Sequence, residues 1–531
     1  MGRESHIEAL QEQPFDILVI GGGATGAGCA LDAVSRGLKV ALVERDDFAA
    51  GTSSRSTKLI HGGVRYLEQA VLKFDRSQFK LVRDALHERS TLLKIAPHLT
   101  RPLPILTPLY HRVQVPYYRT GLKLYDRLAG TSSLHKSYFV SPKEALHKFP
   151  MLKKDHLRGG VVYYDGQFDD ARMNVGIAMT AAQRGAVVAN HLEILSLHKT
   201  QGKLSGAVAK DRLTGKTFDI HAKIIVNATG PFADGIRQMD EPGCEPLLSA
   251  SSGTHIVLDK SFSPPATGLL IPKTEDGRVL FILPWLGHTV IGTTDQPAPI
   301  SVNPKPEDED IDFILRQVRR YFAFAVEREH ILAAWTGLRP LVSNPKAMDT
   351  AKLSRDHIIH CSDSRLVTIA GGKWTTYRKM ALDTIEHAVQ LGKLKPTQES
   401  QTENIFILGG EHYSAEGAKV LQKRYGLPED IAEYLNRAYG DRAPHVAELP
   451  HASLRLDDKH PYTEAEVTYA AQAEWARTVA DVLARRTRLS FLDRDATLTN
   501  IPKVASLLAK VLKWNKDEET SEVERAISFL S

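Results

Sequence analysis

Cysteine is scarce: the chain has three, Cys29, Cys244 and Cys361, far apart and with no C-x-x-C pair. That argues against a zinc site, an iron–sulfur cluster or a disulfide scaffold and fits a reducing compartment. Long apolar runs are missing too. A membrane-spanning helix needs ~18 such residues, and the longest candidate, Ile17 to Leu31, is rich in glycine and ends at Asp32. Any membrane contact is therefore expected to be peripheral. Charge of one sign is not concentrated: 68 basic against 63 acidic residues leave only +5, spread along the chain. No nucleic-acid partner is expected from such a balance, whereas anionic substrates and lipids are compatible with it. Glu4, Glu8 and Glu12 against Arg3 fit neither a secretory signal nor an arginine-rich transit peptide. Repeats and low-complexity tracts are also lacking.

What is present is a globular composition, 42% hydrophobic and 25% charged, over 531 residues, which is too long for one ordinary core. Two or three domains are expected. Phe15 to Ile20 is a short apolar run ending in Gly21-Gly22-Gly23. Gly26 to Arg36 then carries apolar residues at helical spacing until Gly37 stops it, and Lys39 to Val43 is a second strand-like run. Strand, glycine turn, helix and strand make one βαβ unit. Further strands are expected around Ile224 to Val226, Phe281 to Leu283 and Thr289 to Ile291. After about Gln401 the pattern becomes helical, with helices expected over Asp430 to Tyr439 and Glu464 to Leu483, the latter opened by a Thr463-x-x-Glu466 capping box.

The glycine turn carries the first chemistry. In Gly21-x-Gly23-x-x-Gly26 the first glycine permits a tight turn and the second lets backbone N–H groups approach a pyrophosphate. The third lets helix pack on strand, and the helix N-terminus adds its partial positive charge. Glu44, closing the following strand, is placed to accept hydrogen bonds from ribose hydroxyls. This fixes a dinucleotide without choosing nicotinamide from flavin. The Ser/Thr/Gly-rich stretch GTSSRSTKLIHGGVRY, Gly51 to Tyr66, supplies hydroxyls and backbone for a second phosphate and a ring. Two later stretches, Val226-Asn227-Ala228-Thr229-Gly230-Pro231 and Ile369-Ala370-Gly371-Gly372-Lys373-Trp374-Thr375-Thr376, put small residues at strand ends, where open α/β sheets bind ligands.

In this order, the glycine turn, SSRSTKLIHGGVRYL, VNATGP, GTHIVL, LPWLGHTVIGTTD, GLRPL and GGKWTTYRKM resemble the FAD-dependent glycerol-3-phosphate dehydrogenases, nearer the mitochondrial type. The likeness runs from about Phe15 to Met380 and more loosely into a helical cap. It implies an α/β fold: an FAD-binding Rossmann-like core of the glutathione-reductase/D-amino-acid-oxidase type, a mixed-sheet substrate domain and a C-terminal helical cap domain. The expected FAD segments are about 15–70, 160–235 and 350–395, the substrate region about 71–159 and 240–349, and the helical domain 401–531. No EF-hand loop of the form D-x-[DN]-x-[DN]-G occurs, so calcium regulation is not expected. The short link from Arg355 to Gly371 lacks the long insertion of the related soluble oxidases and favours a dehydrogenase.

The resemblance implies noncovalent FAD held by Gly21, Gly23, Ala24, Thr25, Gly26, Glu44, Arg45, Thr52, Ser53, Ser54, Lys58, Leu59, His61, Gly62, Gly63, Ala228, Thr229, Gly230, Gly337, Gly371, Gly372, Lys373, Trp374 and Thr375. For the substrate, glycerol 3-phosphate, it implies Arg65, Tyr66, His255, Arg339, Arg355, Lys373 and Thr376. A phosphate dianion near an apolar ring needs several cations, and arginine's planar fork binds two oxygens at once. Removal of the C2 hydrogen as hydride requires a base for the hydroxyl proton. His255 is the leading base and Lys373 its rival, with Arg339 beside them, and no metal is called for. The expected acceptor is a membrane quinone, reached from an anionic lipid surface on the cytoplasmic face of a bacterial inner membrane or, alternatively, at a mitochondrial inner membrane. Arg101 to Leu128, with Leu103, Ile105, Leu106, Leu109 and Leu122 among tyrosines and cations, is the expected lipid-facing segment. A homodimer stays open. An oxygen-using glycerol-3-phosphate oxidase and an amine or amino-acid oxidase are the competing enzyme readings, and a non-catalytic or tRNA-modifying FAD scaffold is the competing reading outside catalysis. The amino-acid enzymes need one carboxylate-binding arginine rather than a cluster of four cations.

Overall fold

The computed structural model describes residues 2–62, 76–111, 121, 134–342 and 357–531. Its first sheet runs His357–Cys361, Leu366–Gly371, Thr217–Asn227, Phe15–Ile20, Val40–Val43, Val187–Ala189, and along this run every pairing is parallel except that of His357–Cys361; Lys203–Asp211 adds to Thr217–Asn227 antiparallel. Strand Phe15–Ile20 shows why the centre is so apolar. Ile17 and Val19 point into one core with Ala27 and Ala30 of helix Ala24–Ser35 and Met380, Ala381 and Ile385 of helix Tyr377–Gly392. Leu18 and Ile20 point the other way, into a core shared with Leu10 of helix Arg3–Glu12 and with the antiparallel strands Leu192–Thr200 and Lys203–Asp211. A strand sandwiched on both faces has no position for an exposed side chain, so its sequence from Ile17 to Ile20 is a continuous apolar run, with the half-buried Asp16 only at its start.

Among the described residues the second sheet has ten strands. Its longest pairing is antiparallel, Leu248–Asp259 against Ile331–Val342. Helix Asp308–Tyr321 lays Ile314, Leu315 and Val318 on one face. Strand Thr100–Leu109 lies inside this sheet against Gly159–Phe168. There Leu103, Ile105, Leu106 and Leu109 are fully buried, and Arg101 donates to Gln167 Oε1. These leucines and Ile105 are core residues with no surface to offer a lipid, which corrects the first part of the expected membrane segment. Its remainder, with Arg112, Arg119, Leu122 and Lys123, lies outside the described residues. Strands Gly159–Phe168 and Leu59–Ile60, expected with the FAD segments, also belong to the second sheet, because their pairing partners lie there.

The helical part departs from its pattern once. The helix expected over Glu464 to Leu483 ends at Ala473; Trp475 takes φ 57°, and the chain restarts as a wide turn at Asp481–Arg486. Asp481 makes this restart by accepting from the backbone N–H groups of Arg477 (2.8 Å) and Thr478 (3.0 Å). Val482, Leu483, Leu489, Phe491 and Leu492 then pack against Val257, Trp285, Val290 and Trp335 of the second sheet. The helical tail thus shares a core with the sheet that carries His255.

Candidate active site

The turn after strand Phe15–Ile20 is closed on all sides. Gly21 has φ 107°, and a Cβ there would stand 2.7 Å from the Ala228 carbonyl oxygen. A Cβ on Gly26 would collide with the Gly21 carbonyl. The Gly22 N–H donates to Glu44 Oε2 at 2.6 Å, and the Asp46 N–H to Oε1 at 2.9 Å. Burial and the neighbouring Asp46 push the Glu44 carboxyl above its usual range. From outside the motif, Asn174 Nδ2 donates to the Gly22 carbonyl at 2.8 Å.

Contacts distant in sequence join the three motif stretches into one wall. Trp374 Nε1 donates to Ser53 O (2.9 Å), and Ser53 Oγ accepts from the Ala24 N–H (2.9 Å). Thr52 Oγ1 donates to Leu338 O (2.5 Å), and the His61 N–H donates to Thr375 Oγ1 (3.2 Å). Gly337 lies so close to Arg55 that a Cβ would stand 2.8 Å from its carbonyl oxygen. Together they enclose a cavity of about 840 Å³ lined by Gly21, Gly23, Ala24, Thr25, Glu44, Arg45, Thr52, Ser53, Ala228, Thr229, Gly230, Gly371, Gly372, Lys373 and Trp374. A bare glycine turn, a helix start and hydroxyl-bearing walls fit a dinucleotide's pyrophosphate and ring.

Other expected contact residues stand behind that wall. Gly26 is a packing glycine, and Leu59 pairs with Gln167 in the second sheet. Gly62 is buried with its N–H near Asp165 Oδ1. Ser54 offers its carbonyl to Lys58 Nζ (2.7 Å) and to Arg488 Nη2 (2.7 Å). Lys58 is wholly buried and donates to Asp170 Oδ2 at 2.7 Å, so its ammonium supports the loop from behind. Thr376 Oγ1 donates back to Lys373 O (3.2 Å). Gly63, Arg65, Tyr66 and Arg355 lie outside the described residues.

His255 sits within strand Leu248–Asp259 rather than before it, directly opposite Trp335. The two rings stack with centroids 4.1 Å apart and planes 15° apart, and Nε2 lies 3.0 Å from Thr57 Oγ1 of the Ser/Thr loop. Burial first, then the Lys58 and Arg339 cations, hold the imidazole well below the ordinary histidine range, leaving it neutral and able to accept a proton. Four residues on from Trp335, Arg339 directs Nη1 at Ser252 O (3.1 Å) and Asp295 Oδ1 (3.2 Å), and Nη2 at Thr293 Oγ1 (3.2 Å) and Thr294 O (3.0 Å). These contacts hold its fork against protein acceptors, the Asp295 carboxylate among them.

The FAD dependent oxidoreductase family model matches residues 16–378, and the model for the C-terminal domain of alpha-glycerophosphate oxidase matches 400–519. The mitochondrial glycerol-3-phosphate dehydrogenase of Mus musculus is 50% identical over 99% of this chain and 75% of its own length. The chain belongs to the FAD-dependent glycerol-3-phosphate dehydrogenases. The mitochondrial enzyme of Arabidopsis thaliana is 46% identical over 99% of this chain and 87% of its own. The structure of the glycerol-3-phosphate dehydrogenase from Bacillus halodurans complexed with FAD superposes with TM-score 0.81 at 32% identity, covering 99% of this chain and 97% of that one. FAD is therefore the cofactor of this dehydrogenase. Acid precipitation should release FAD into the supernatant at about one per chain, by the flavin's own absorbance. Flavin retained on the pellet would refute noncovalent binding.

In this glycerol-3-phosphate dehydrogenase, sequence reasoning missed the tail's share of the cavity. Asp481, Arg485, Arg525 and Phe529 also line it, as does His191 outside the tail. Asp47 accepts from Arg485 Nε (2.8 Å) and Arg486 Nη1 (2.7 Å), binding the tail to the loop that follows Glu44. The signal was present: Asp481, Arg485, Arg486 and Arg488 put four charges into a stretch from Val479 to Leu492 whose other residues are apolar apart from Thr487 and Ser490. Arginines so placed must be buried and paired.

Proposed function

We propose that this dehydrogenase oxidises sn-glycerol 3-phosphate to dihydroxyacetone phosphate and passes the electrons to a membrane quinone, with His255 as the base. The observation that carries this reading is the strand pair that places His255 opposite Trp335 and Arg339 on the same strand, joined through Thr57 to the loop whose Thr52 and Ser53 line the FAD cavity. FAD supplies the hydride acceptor. His255 takes the C2 hydroxyl proton; Arg339, Lys373, Arg65 and Arg355 hold the phosphate; Tyr66 and Thr376 orient the hydroxyls. The arriving dianion offsets the cations around the imidazole and strengthens its hold on the proton. Among the described residues no helix is long and apolar enough to cross a membrane, so the proposed contact with the quinone's bilayer is peripheral.

Anaerobic addition of glycerol 3-phosphate is expected to bleach the flavin, and a short-chain quinone to restore its colour faster than oxygen does. Bleaching by an amino acid but not by glycerol 3-phosphate would defeat the reading, and faster recovery with oxygen would make it an oxidase. Arg339→Ala should lower kcat/KM for glycerol 3-phosphate about tenfold or more, through loss of one charged contact, with FAD content unchanged. Unaltered kinetics would remove Arg339 from the phosphate site.

A further inference from the structure

Behind His255 lies an aromatic box that the reaction as described leaves unused. Lys58 Nζ stands 4.5 Å from the Trp335 ring centre, 5.1 Å from that of Trp285 and 5.4 Å from that of Phe491. Arg488 shares the box, 4.2 Å over Phe491. Asp170 accepts from both cations, at 2.7 Å from Lys58 and 3.1 Å from Arg488, and Asp169 lies 3.5 Å from the Arg488 guanidinium. The Trp335 indole therefore touches the Lys58 ammonium and also stacks on the His255 imidazole. A ring whose π electrons already face one buried cation is a poor neighbour for a second. Protonating His255 would create that second cation in a buried place.

We propose that Lys58 is a positioning residue for the oxidation, acting across the Trp335 ring to hold the His255 imidazole neutral until substrate arrives. This rests on His255 being the base. The step it supports is the transfer of the C2 hydroxyl proton to His255 while the C2 hydrogen leaves with its electron pair to FAD, which is reduced. The charged groups acting on the imidazole are Lys58 and Arg339, with burial working in the same direction. The Lys58 ammonium is itself brought down to about 7 by burial, against the opposing pull of Asp170.

The test is the pH dependence of flavin reduction by glycerol 3-phosphate, followed by anaerobic stopped flow in the holoenzyme. Removing a nearby cation raises the histidine's affinity for a proton. Lys58→Gln is therefore expected to move the acid limb to higher pH by about 1, with a rate loss of about tenfold on that limb. Lys58→Arg keeps a permanent cation and should leave the limb at or below its wild-type position. An unmoved limb in Lys58→Gln overturns the proposal. So does an upward move in Lys58→Arg, which decides alone if Lys58→Gln does not retain FAD. His255→Gln separates the two readings. If it reduces flavin at the wild-type rate, the base assignment and the proposal fall together; if it is slow and the Lys58 variants do not move the limb, only the role of Lys58 falls.

Discussion

His255→Gln should reduce flavin about 100- to 10,000-fold more slowly than wild type under saturating glycerol 3-phosphate, the range that a positioned general base supplies. FAD content should not change, because His255 is not among the described residues that line the FAD cavity and its hydrogen bond to the flavin loop goes to Thr57. Glutamine can keep a hydrogen bond to Thr57 Oγ1 while lacking a basic nitrogen. The effect should therefore fall on kcat, with a smaller change in KM. Lys373→Met is the necessary companion, since Lys373 lines the cavity and is the competing base. A larger loss of the reduction step in Lys373→Met than in His255→Gln would transfer the base role to the lysine.

Asp170→Ala is expected to have the largest effect on stability. Asp170 is wholly buried and accepts at Oδ2 from Ser56 N–H (3.0 Å), Ser56 Oγ (2.7 Å) and Lys58 Nζ (2.7 Å), and at Oδ1 from Arg488 (3.1 Å). Deleting its carboxylate leaves two buried cations without their shared counter-charge, a cost of about 3–5 kcal/mol. Against a typical domain stability of about 5–15 kcal/mol that is a severe loss. The thermal midpoint of the FAD-loaded protein should fall by many degrees, and the protein should lose FAD readily, because Ser54 and Ser56 lie next to the cavity wall. Asp170→Asn, which keeps acceptor and shape, should fall less. Equal midpoints for wild type and Asp170→Ala would show that Lys58 and Arg488 are adequately paired without it.

The parts of the site that depend on local backbone rules were legible in the sequence. A glycine at φ 107° against the Ala228 carbonyl, a helix that begins at Ala24, and a carboxylate on the next strand are each required by the turn itself. At Gly21 and Gly26 a Cβ would meet the backbone of Ala228 and of Gly21, so only glycine fits there. His255 was visible as a residue but not as a geometry. Its depressed proton affinity comes first from burial and then from a lysine in another segment and an arginine on a distant strand, and no spacing encodes those distances. The leucines of Thr100–Leu109 mark the opposite failure. Apolar residues among tyrosines and cations can face either lipid or a protein core, and only pairing with Gly159–Phe168 chose the core.

The helical tail divides the two kinds of knowledge most clearly. Its helices and its Thr463 to Glu466 capping box follow from short-range periodicity and hydrogen bonding, which act over a few residues and so are written in order along the chain. That its arginines reach back to Asp47, Asp170 and the Ser54 carbonyl was decided by the tertiary structure alone. A buried guanidinium must find an acceptor wherever packing brings one, and packing joins residues more than four hundred positions apart. Sequence by itself determined the nucleotide turn, the order of strands and helices and the residue types of the chemistry. Tertiary packing determined which cations face His255, which residues close the FAD cavity and which apolar side chains are core, because burial and electrostatics depend on distance in space.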